Sequence, residues 1–162
     1  MMIKVIGIFI PFAATCMLIG PISLVIGELL PRERFDYRVF PYHSFGFEDN
    51  GRIYLLIRVH RWKDRVPDAS KIIRGLFKKK LGLIRDERHI LGLIRETCVA
   101  EFVHIMLSLA SPVFLFIFEG WQGYAIMAIY VLCNLPFIII QRYNRPRLVV
   151  LMEREAARRG KK

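Results

Sequence analysis

The sequence predicts an all-α integral membrane protein with three transmembrane helices and further helices at the cytoplasmic membrane interface. Two observations support this fold class: 54% of the 162 residues are apolar, and the 24% that are charged are separated from them along the chain. Three nearly uncharged runs also reach the length of about 20 residues that crosses a bilayer core. We therefore treat residues 1–162 as a single membrane domain.

The three apolar runs predict the membrane spans. The first covers residues 5–27 without a charge, the second covers 98–118 with two ionisable groups, and the third covers 121–140 and begins with the interfacial aromatic Trp121. Only two residues separate the last two runs, which predicts a helical hairpin. A cleavable signal peptide is the alternative for the first run, but that run exceeds the apolar region of about 7–15 residues typical of signal peptides.

The distribution of basic residues predicts the orientation. Of 25 Lys and Arg residues, 16 lie in residues 31–97 and 8 lie in the basic tail, residues 141–162. Three spans place both segments on one side, and the positive-inside rule makes that side cytoplasmic. We expect a multi-pass protein of the cell membrane with its N-terminus outside and its C-terminus in the cytoplasm.

The net charge of +11 suggests either nucleic acid or membrane lipid as a partner. The basic residues lie beside the spans, where anionic headgroups attract each of them by about 1 kcal/mol. No nucleic-acid recognition motif accompanies them. We therefore expect membrane lipids as partners and no nucleic acid.

The cytoplasmic segment, residues 31–97, contains two candidate interfacial stretches. In residues 53–62 apolar and basic side chains alternate at helical spacing, which predicts a helix lying in the interface with its basic groups reaching the headgroups. Residues 71–83, with a run of three lysines, predict a second surface stretch.

The second span carries a polar stripe. At about 100° per residue, Thr97, Glu101, His104 and Ser108 fall on one face of a helix. Ionisable residues in a membrane helix usually face the protein interior, and Glu101 is close enough to His104 to raise its basicity. The pair is either a general base for a hydroxyl group or a buried hydrogen bond that locks the helices together.

No metal site is expected. The motif Glu101-x-x-His104 resembles half of a di-metal site in helix bundles, but a second such motif is absent from the sequence. The three cysteines have no close pair and form no zinc signature.

The third span ends in a segment dense in rigid hydrogen-bond donors. Guanidinium groups suit phosphates and carboxylates, so this segment either binds a lipid headgroup, a pyrophosphate or coenzyme A, or anchors the helix to headgroups. The candidate residues are Gln141, Arg142, Tyr143, Asn144, Arg145 and Arg147.

Four stretches in a fixed order resemble the glycosyl-4,4'-diaponeurosporenoate acyltransferases, membrane proteins of staphyloxanthin-type carotenoid synthesis. They are Ser44-Phe45-x-Phe47-Glu48-x-x-Gly51, Trp62-Lys63 followed by Asp68, Glu96-Thr97-x-x-Ala100-Glu101-x-x-His104, and the long C-terminal run from Asn134-x-Pro136 to Leu148. The last is the most specific of the four.

The resemblance implies transfer of a fatty acyl group to a sugar hydroxyl of a glycosylated carotenoid acid or similar glycolipid. In that reaction His104, with Glu101, would take the hydroxyl proton, and the oxygen would attack an acyl-CoA or acyl-carrier thioester. We expect an amphiphilic glycosylated acceptor and no bound cofactor. The residues expected to bind the substrate or the donor are Trp62, Lys63, Asp64, Glu96, Thr97, Gln141, Arg142, Tyr143, Asn144, Arg145 and Arg147.

The alternative function is non-catalytic: a membrane protein that binds anionic lipid or scaffolds a lipid or carotenoid biosynthetic complex. A covalent route through Ser44, which follows His43, is a weaker alternative because adjacent residues rarely form a nucleophile and base pair. Three short helices bury few side chains, so we also expect a homodimer or a partner biosynthetic enzyme.

Overall fold

The computed structural model describes residues 2–66 and 87–160, and the regular elements in these two ranges are all helical. The α-helices are α1 (Met2–Leu29), α2 (Ile53–Leu56), α3 (Val59–Trp62), α4 (Glu87–Ala110), α5 (Phe114–Ile117) and α6 (Trp121–Arg159), with short 3-10 helices at Arg32–Arg34, Gly46–Gly51 and Ser111–Val113. The predicted surface stretch 71–83 lies outside the described residues.

Three helical stretches are long and apolar enough to cross a membrane, which confirms the predicted fold class. They are Ile10–Leu29, Glu87–Ile117 and Trp121–Arg159. Large apolar side chains on them are exposed, among them Met17, Phe116 and Leu132. Such exposure is expected where lipid replaces water around a helix.

The last two helices extend beyond the apolar runs that predict them. Helix α4 begins at Glu87, well before residue 98, and α6 passes residue 140 and includes most of the basic tail. At 1.5 Å per residue the 39-residue α6 is about 58 Å long, nearly twice the roughly 30 Å hydrocarbon core. Apolar runs therefore predict the part of each helix that can lie in lipid. They do not predict the polar part by which the helix continues beyond the lipid.

The predicted interfacial helix over residues 53–62 is two helices of four residues each. The break falls at Arg58, whose φ of 52° is left-handed and cannot continue an α-helix. Large apolar side chains nearby stay exposed, including Phe47 and Leu56. That this segment lies in the membrane interface stays a prediction. Its exposed apolar surface is compatible with such a position.

The chain divides into two compact units. The first contains Met1–Leu30 and Phe102–Leu135, and the second contains Pro31–Glu101 and Pro136–Lys162. Each is described separately below. The single membrane domain expected from the sequence stays a prediction.

The core of the first unit is aromatic. Phe114 is fully buried and packs with Phe118 and Ile126, and the ring of Tyr130 meets that of Phe114 edge to face at 5.0 Å. Gly120, with φ of 61°, makes the turn into α6 that the short connection between the apolar runs predicts.

The second unit has two apolar clusters on α6. Val59 packs against Ile140 and Tyr143, whereas Ile90 and Ile94 of α4 pack against Met152. Helix α6 therefore packs against two different elements: Ile140 and Tyr143 contact α3, and Met152 contacts α4. Between these two clusters, Gln141 and Arg145 are buried inside the unit, whereas Arg147 is exposed.

Gly123 is required for the tight start of α6. A Cβ added there would lie 2.7 Å from the Phe118 carbonyl oxygen and 3.2 Å from Leu115 Cα, and both are backbone atoms that cannot move easily. We expect Gly123→Ala to lower the free energy of unfolding by about 1–3 kcal/mol through overpacking. Thermal unfolding in detergent micelles measures the change.

Gly92→Ala is the matched control, because a Cβ at this helical position meets nothing within 4 Å. It should be neutral or stabilising by up to about 1 kcal/mol, the difference in helix propensity. Equal stability of Gly123→Ala and the parent protein would contradict the close approach.

Candidate functional site

The second unit encloses an ionic cluster of Glu48, Glu101, Arg142 and Arg145. Glu48 belongs to the 3-10 helix Gly46–Gly51, Glu101 to α4 and the two arginines to α6. Their side chains are between 1% and 10% exposed. Two carboxylates and two guanidinium groups make the ionic cluster neutral overall.

Arg142 donates hydrogen bonds from all five of its N–H groups. It forms a fork with Glu48, with Nε 2.5 Å from Oε1 and Nη2 3.0 Å from Oε2. Nη1 donates to Glu101 Oε1 at 2.5 Å and to the Pro41 carbonyl at 2.9 Å, and Nη2 also donates to the His43 carbonyl at 3.2 Å. Every N–H group of this guanidinium is therefore already hydrogen-bonded within the protein.

Arg145 donates to the second carboxylate oxygen of Glu101, Oε2, and to residues around it. Its Nη2 donates to Glu101 Oε2 and to the Thr97 carbonyl, its Nε donates to Thr97 Oγ1 at 2.8 Å, and its Nη1 donates to the Tyr42 carbonyl at 2.6 Å. Glu101 therefore bridges both arginines. Removing one partner from such a buried set leaves a charge without compensation.

The surroundings of Glu48 keep it ionised. Burial by itself would raise its pKa, but hydrogen bonds from Arg142, from the Tyr54 hydroxyl and from the Phe45 backbone N–H outweigh burial and lower the pKa. Burial, followed by the hydrogen bond to Glu48, raises the pKa of Tyr54. The Tyr54 hydroxyl therefore stays a donor to the carboxylate.

A cavity of about 340 Å³, which we call the Ser44 cavity, lies against the ionic cluster within the second unit. Glu48, Arg142 and Arg145 contribute to its wall. Its wall also contains Tyr37, Arg38, Tyr42, His43, Ser44, Asn50 and Glu153. This volume is within the range of small-molecule sites, about 300–1,000 Å³.

Two residues that line the Ser44 cavity each have a buried polar atom without a hydrogen-bond partner in the described part of the chain. These atoms are Nδ1 of His43 and Oγ of Ser44. Leaving a buried donor or acceptor unsatisfied costs about 1–3 kcal/mol. Native proteins seldom retain such atoms without a reason, so this pair marks a candidate binding site.

Three consecutive left-handed residues form the turn that brings Asn50 to the wall of the Ser44 cavity. Asp49, Asn50 and Gly51 have φ values of 44°, 50° and 82°. A Cβ on Gly51 would lie 3.5 Å from the Arg142 carbonyl oxygen, so the turn approaches α6 closely. Such backbone conformations cost about 1–3 kcal/mol each for residues other than glycine and cluster at functional sites.

A second cavity of about 330 Å³ in the same unit, the Arg147 cavity, brings together five of the residues expected to bind the substrate or the donor. They are Lys63, Asp64, Gln141, Asn144 and Arg147, and Thr97 also contributes to its wall. The Arg147 guanidinium stacks on the Tyr143 ring at 3.5 Å. Unlike Arg142, Arg147 has no carboxylate partner in the described residues, and its Nη1 donates to the Tyr143 carbonyl.

His104 belongs to the first unit and pairs with Asn134. The His104 Nδ1 and Asn134 Oδ1 atoms are 2.8 Å apart, and Asn134 Nδ2 donates to the Tyr130 carbonyl at 2.9 Å. Since the amide N–H group is directed at Tyr130, its oxygen accepts from Nδ1–H of His104. In the neutral imidazole Nε2 then carries the lone pair.

Glu96 and Trp62, also expected to bind the substrate or the donor, have partners outside the ionic cluster. Glu96 accepts a hydrogen bond from Arg32 at 2.8 Å, and Trp62 Nε1 donates to the Ile57 carbonyl at 2.9 Å. In the described residues the Glu101 carboxylate accepts hydrogen bonds from Arg142 and Arg145. The catalytic and binding roles assigned from the sequence stay predictions.

Sequence reasoning did not select Glu48, Tyr42 or His43 as site residues. One signal was available: Arg142 and Arg145 lie just after an apolar run of 20 residues, and arginines that become buried require buried counter-charges. Glu48 is an acid in an aromatic-rich segment within one of the resembling motifs. Its pairing with Arg142, 94 positions later, is a tertiary contact that no local pattern encodes.

The fold and the site define a helical membrane protein with three candidate spans and a buried, charge-balanced polar cluster. The chain belongs to the glycosyl-4,4'-diaponeurosporenoate acyltransferase family, whose model matches residues 39–154. This confirms the resemblance seen in the sequence. The match includes the whole ionic cluster and both His43 and Ser44.

Curated relatives from Staphylococcus aureus bear the same family name. The protein of strain MRSA252 is 31% identical over 140 residues, which are 85% of this chain and 82% of the relative. The protein of strain N315 is 30% identical over the same coverage. No solved structure gives a significant match to the chain.

Glu101→Gln tests the bridge between the arginines. An amide cannot balance two buried guanidinium groups, so we expect the free energy of unfolding to fall by about 3–5 kcal/mol. Thermal unfolding in detergent micelles measures the loss.

Glu96→Gln provides the matched substitution, because Glu96 is 40% exposed in its pair with Arg32. It should cost at most about 1 kcal/mol. A Glu101→Gln protein as stable as Glu96→Gln would refute the structural importance of the bridge.

Glu48 predicts acid sensitivity. Its pKa in the folded protein lies below the ordinary value of 4.5, so its stabilising effect is complete above that value and is lost as the pH falls through the folded pKa. We expect the unfolding temperature to drop as the pH falls below about 4.5. Glu48→Gln should be less stable at neutral pH and should show a shallower acid dependence; identical pH slopes in the two proteins would contradict the assignment.

Proposed function

We propose that this protein transfers a fatty acyl group from a thioester donor to a sugar hydroxyl of a glycosylated carotenoid acid or similar glycolipid. The observation that carries the proposal is family membership over residues 39–154, a region that contains the ionic cluster and the residues of the Arg147 cavity. The curated relatives are named for acyl transfer in the same chemical context.

A membrane location suits both substrates. Three apolar stretches give the chain access to an acceptor dissolved in the bilayer, with the sugar headgroup at the interface. Acyl-CoA and acyl-carrier thioesters are soluble cytoplasmic donors. We therefore propose that the N-terminus lies outside, that the C-terminus is cytoplasmic, and that the second unit faces the cytoplasm.

We assign the donor to the Arg147 cavity. Arg147 supplies positive charge on its wall, Lys63 is paired with Asp64 at 3.1 Å, and Gln141 and Asn144 supply amide donors. These groups suit the phosphates of coenzyme A or of a carrier's prosthetic arm. Arg142 and Arg145, expected from the sequence to share this role, have their charges balanced by Glu48 and Glu101.

His104 remains the proposed proton acceptor. The hydroxyl oxygen bonds to the acyl carbon and the carbon–sulfur bond breaks, while the hydroxyl proton passes to the imidazole and then to the departing thiolate. Asn134 supports this role because it fixes the Nδ1–H tautomer and leaves the lone pair on Nε2. Glu101 acts as a positioning residue that holds the two arginines.

A second function, lipid binding without catalysis, is favoured by the exposed apolar side chains of the 40–57 segment. Phe40, Phe47 and Leu56 are each at least 70% exposed. Together with the basic net charge they would bind an anionic membrane surface without any reaction. A possible homodimer or a partner biosynthetic enzyme would fit either function.

Mass spectrometry of lipids separates the two functions. Membranes with and without the protein are given a glycosylated carotenoid acid and an acyl-CoA or acyl-carrier donor. We expect a product heavier by one fatty acyl group. If no acylated lipid forms with either donor, the lipid-binding function replaces the acyltransferase.

His104→Ala should reduce product formation by about 100-fold or more at unchanged membrane abundance, since general base catalysis contributes roughly that much. His60→Ala, at an exposed position of α3, is the matched control and should keep the parent activity. Full acyl transfer by His104→Ala would exclude His104 as the base.

A further inference from the structure

His43 Nδ1 and Ser44 Oγ are unsatisfied although the groups around them are fully paired. The backbone carbonyl of His43 accepts from Arg142, and all five N–H groups of Arg142 have acceptors. Both oxygens of Glu48 are also bonded. The two atoms are therefore an exception within a well-satisfied polar region, and both residues line the Ser44 cavity.

The size of the Ser44 cavity indicates a ligand larger than water. A volume of about 340 Å³ equals roughly ten water molecules at about 30 Å³ each. That is enough for a monosaccharide ring. A whole dinucleotide or a long acyl chain would not be enclosed.

The charges on its wall favour a neutral ligand over an anion. The guanidinium groups of Arg142 and Arg145 are balanced by Glu48 and Glu101. Glu153 adds a further carboxylate to the wall and would repel a phosphate. Arg38, which stacks on Tyr37 and is exposed, also lines the cavity, and its positive charge offsets that of Glu153. The wall therefore carries no excess of positive charge for an anion once Glu101 is counted with the ionic cluster.

The remaining lining groups match the two kinds of surface on a sugar. Tyr37 and Tyr42 provide aromatic rings, and His43, Ser44 and Asn50 provide neutral donors and acceptors. A sugar ring presents hydroxyls around its edge and C–H groups on its faces. Ligand sites typically combine an apolar or aromatic lining with a few placed polar groups.

From these observations we propose that the Ser44 cavity is the binding site for the sugar of the acceptor. His43 Nδ1 and Ser44 Oγ are covered by surrounding atoms in this structure, and in the proposal both side chains turn toward the cavity and hydrogen-bond to the sugar hydroxyls. The choice of an acceptor sugar rests on the proposed function. The preference for a neutral polyhydroxylated ring rests on the cavity alone. His43 and Ser44 act here in binding and set sugar specificity.

Ser44→Ala separates a binding role from a structural one. Its hydroxyl has no partner in the described chain, so its removal should leave the unfolding temperature unchanged or higher. The same change should weaken sugar binding about three- to tenfold, the usual effect of one lost hydrogen bond. A structural serine would instead lose stability.

Binding is measured by titrating a short-chain alkyl glucoside, below its micelle concentration, into the protein in lipid nanodiscs. His43→Phe is the second variant, because it keeps a ring for the edge-to-face contact with Phe45 at 5.0 Å and loses Nδ1. Ser23→Ala is the control, since Ser23 Oγ only donates to the Gly20 carbonyl of its own helix. An alkyl phosphate of equal chain length is the anionic probe.

We expect the glucoside to bind the parent and Ser23→Ala equally, and to bind Ser44→Ala and His43→Phe more weakly. In the acyl-transfer assay the two variants should raise the KM for the acceptor with little change in kcat. Failure of the parent to bind the glucoside, unchanged binding by both variants, or a stronger dependence of alkyl phosphate binding on His43 and Ser44 would each overturn the assignment. Glucoside binding that depends on these residues, with no acyl transfer, would reject the proposed function and keep the sugar site.

Discussion

Glu101 is the residue on which the interior of the second unit depends. Its two oxygens accept hydrogen bonds from Arg142 and Arg145, and both guanidinium groups are at least 90% buried. Desolvating these charges is compensated only while all partners are in place. Because Arg142 also forms the fork with Glu48, one carboxylate of α4 secures α6 and, through α6, the turn that contains Glu48.

The charge balance of the ionic cluster has a consequence for recognition. Two acids and two bases contribute no net charge, so the protein's charge of +11 is carried entirely by residues outside the ionic cluster. Those residues are available to anionic lipid and to the donor, whereas Arg142 and Arg145 are not. An arginine-rich motif in a sequence therefore shows that the protein has groups able to bind an anion. Whether these arginines bind a ligand or carboxylates of the protein itself depends on where the Asp and Glu residues lie in the fold.

The sequence predicts the elements of the fold better than it predicts their ends or partners. Apolar runs locate three candidate spans because burial in lipid requires about 20 apolar residues in a row. They do not reveal that α6 continues to Arg159, since a polar helix outside lipid depends on packing such as that of Met152 with Ile90 and Ile94. The stripe containing Glu101 is visible as a periodic pattern, but the identity of its partners is a tertiary property.

The two cavities of the second unit differ in chemistry in a way that suits two different substrates. The Arg147 cavity offers the guanidinium group of Arg147 together with amides and the ion pair of Lys63 with Asp64, and the guanidinium and amide groups suit phosphate oxygens. In the Ser44 cavity the arginine charges are balanced and two neutral polar atoms are unsatisfied, which suits a ligand with hydroxyls and no charge. An anion in the Ser44 cavity would leave its own charge unsatisfied. A neutral sugar in the Arg147 cavity would leave the unpaired groups of the Ser44 cavity without a hydrogen-bond partner. In the proposed function this difference would provide selectivity between an anionic donor and a neutral acceptor before any chemical step occurs.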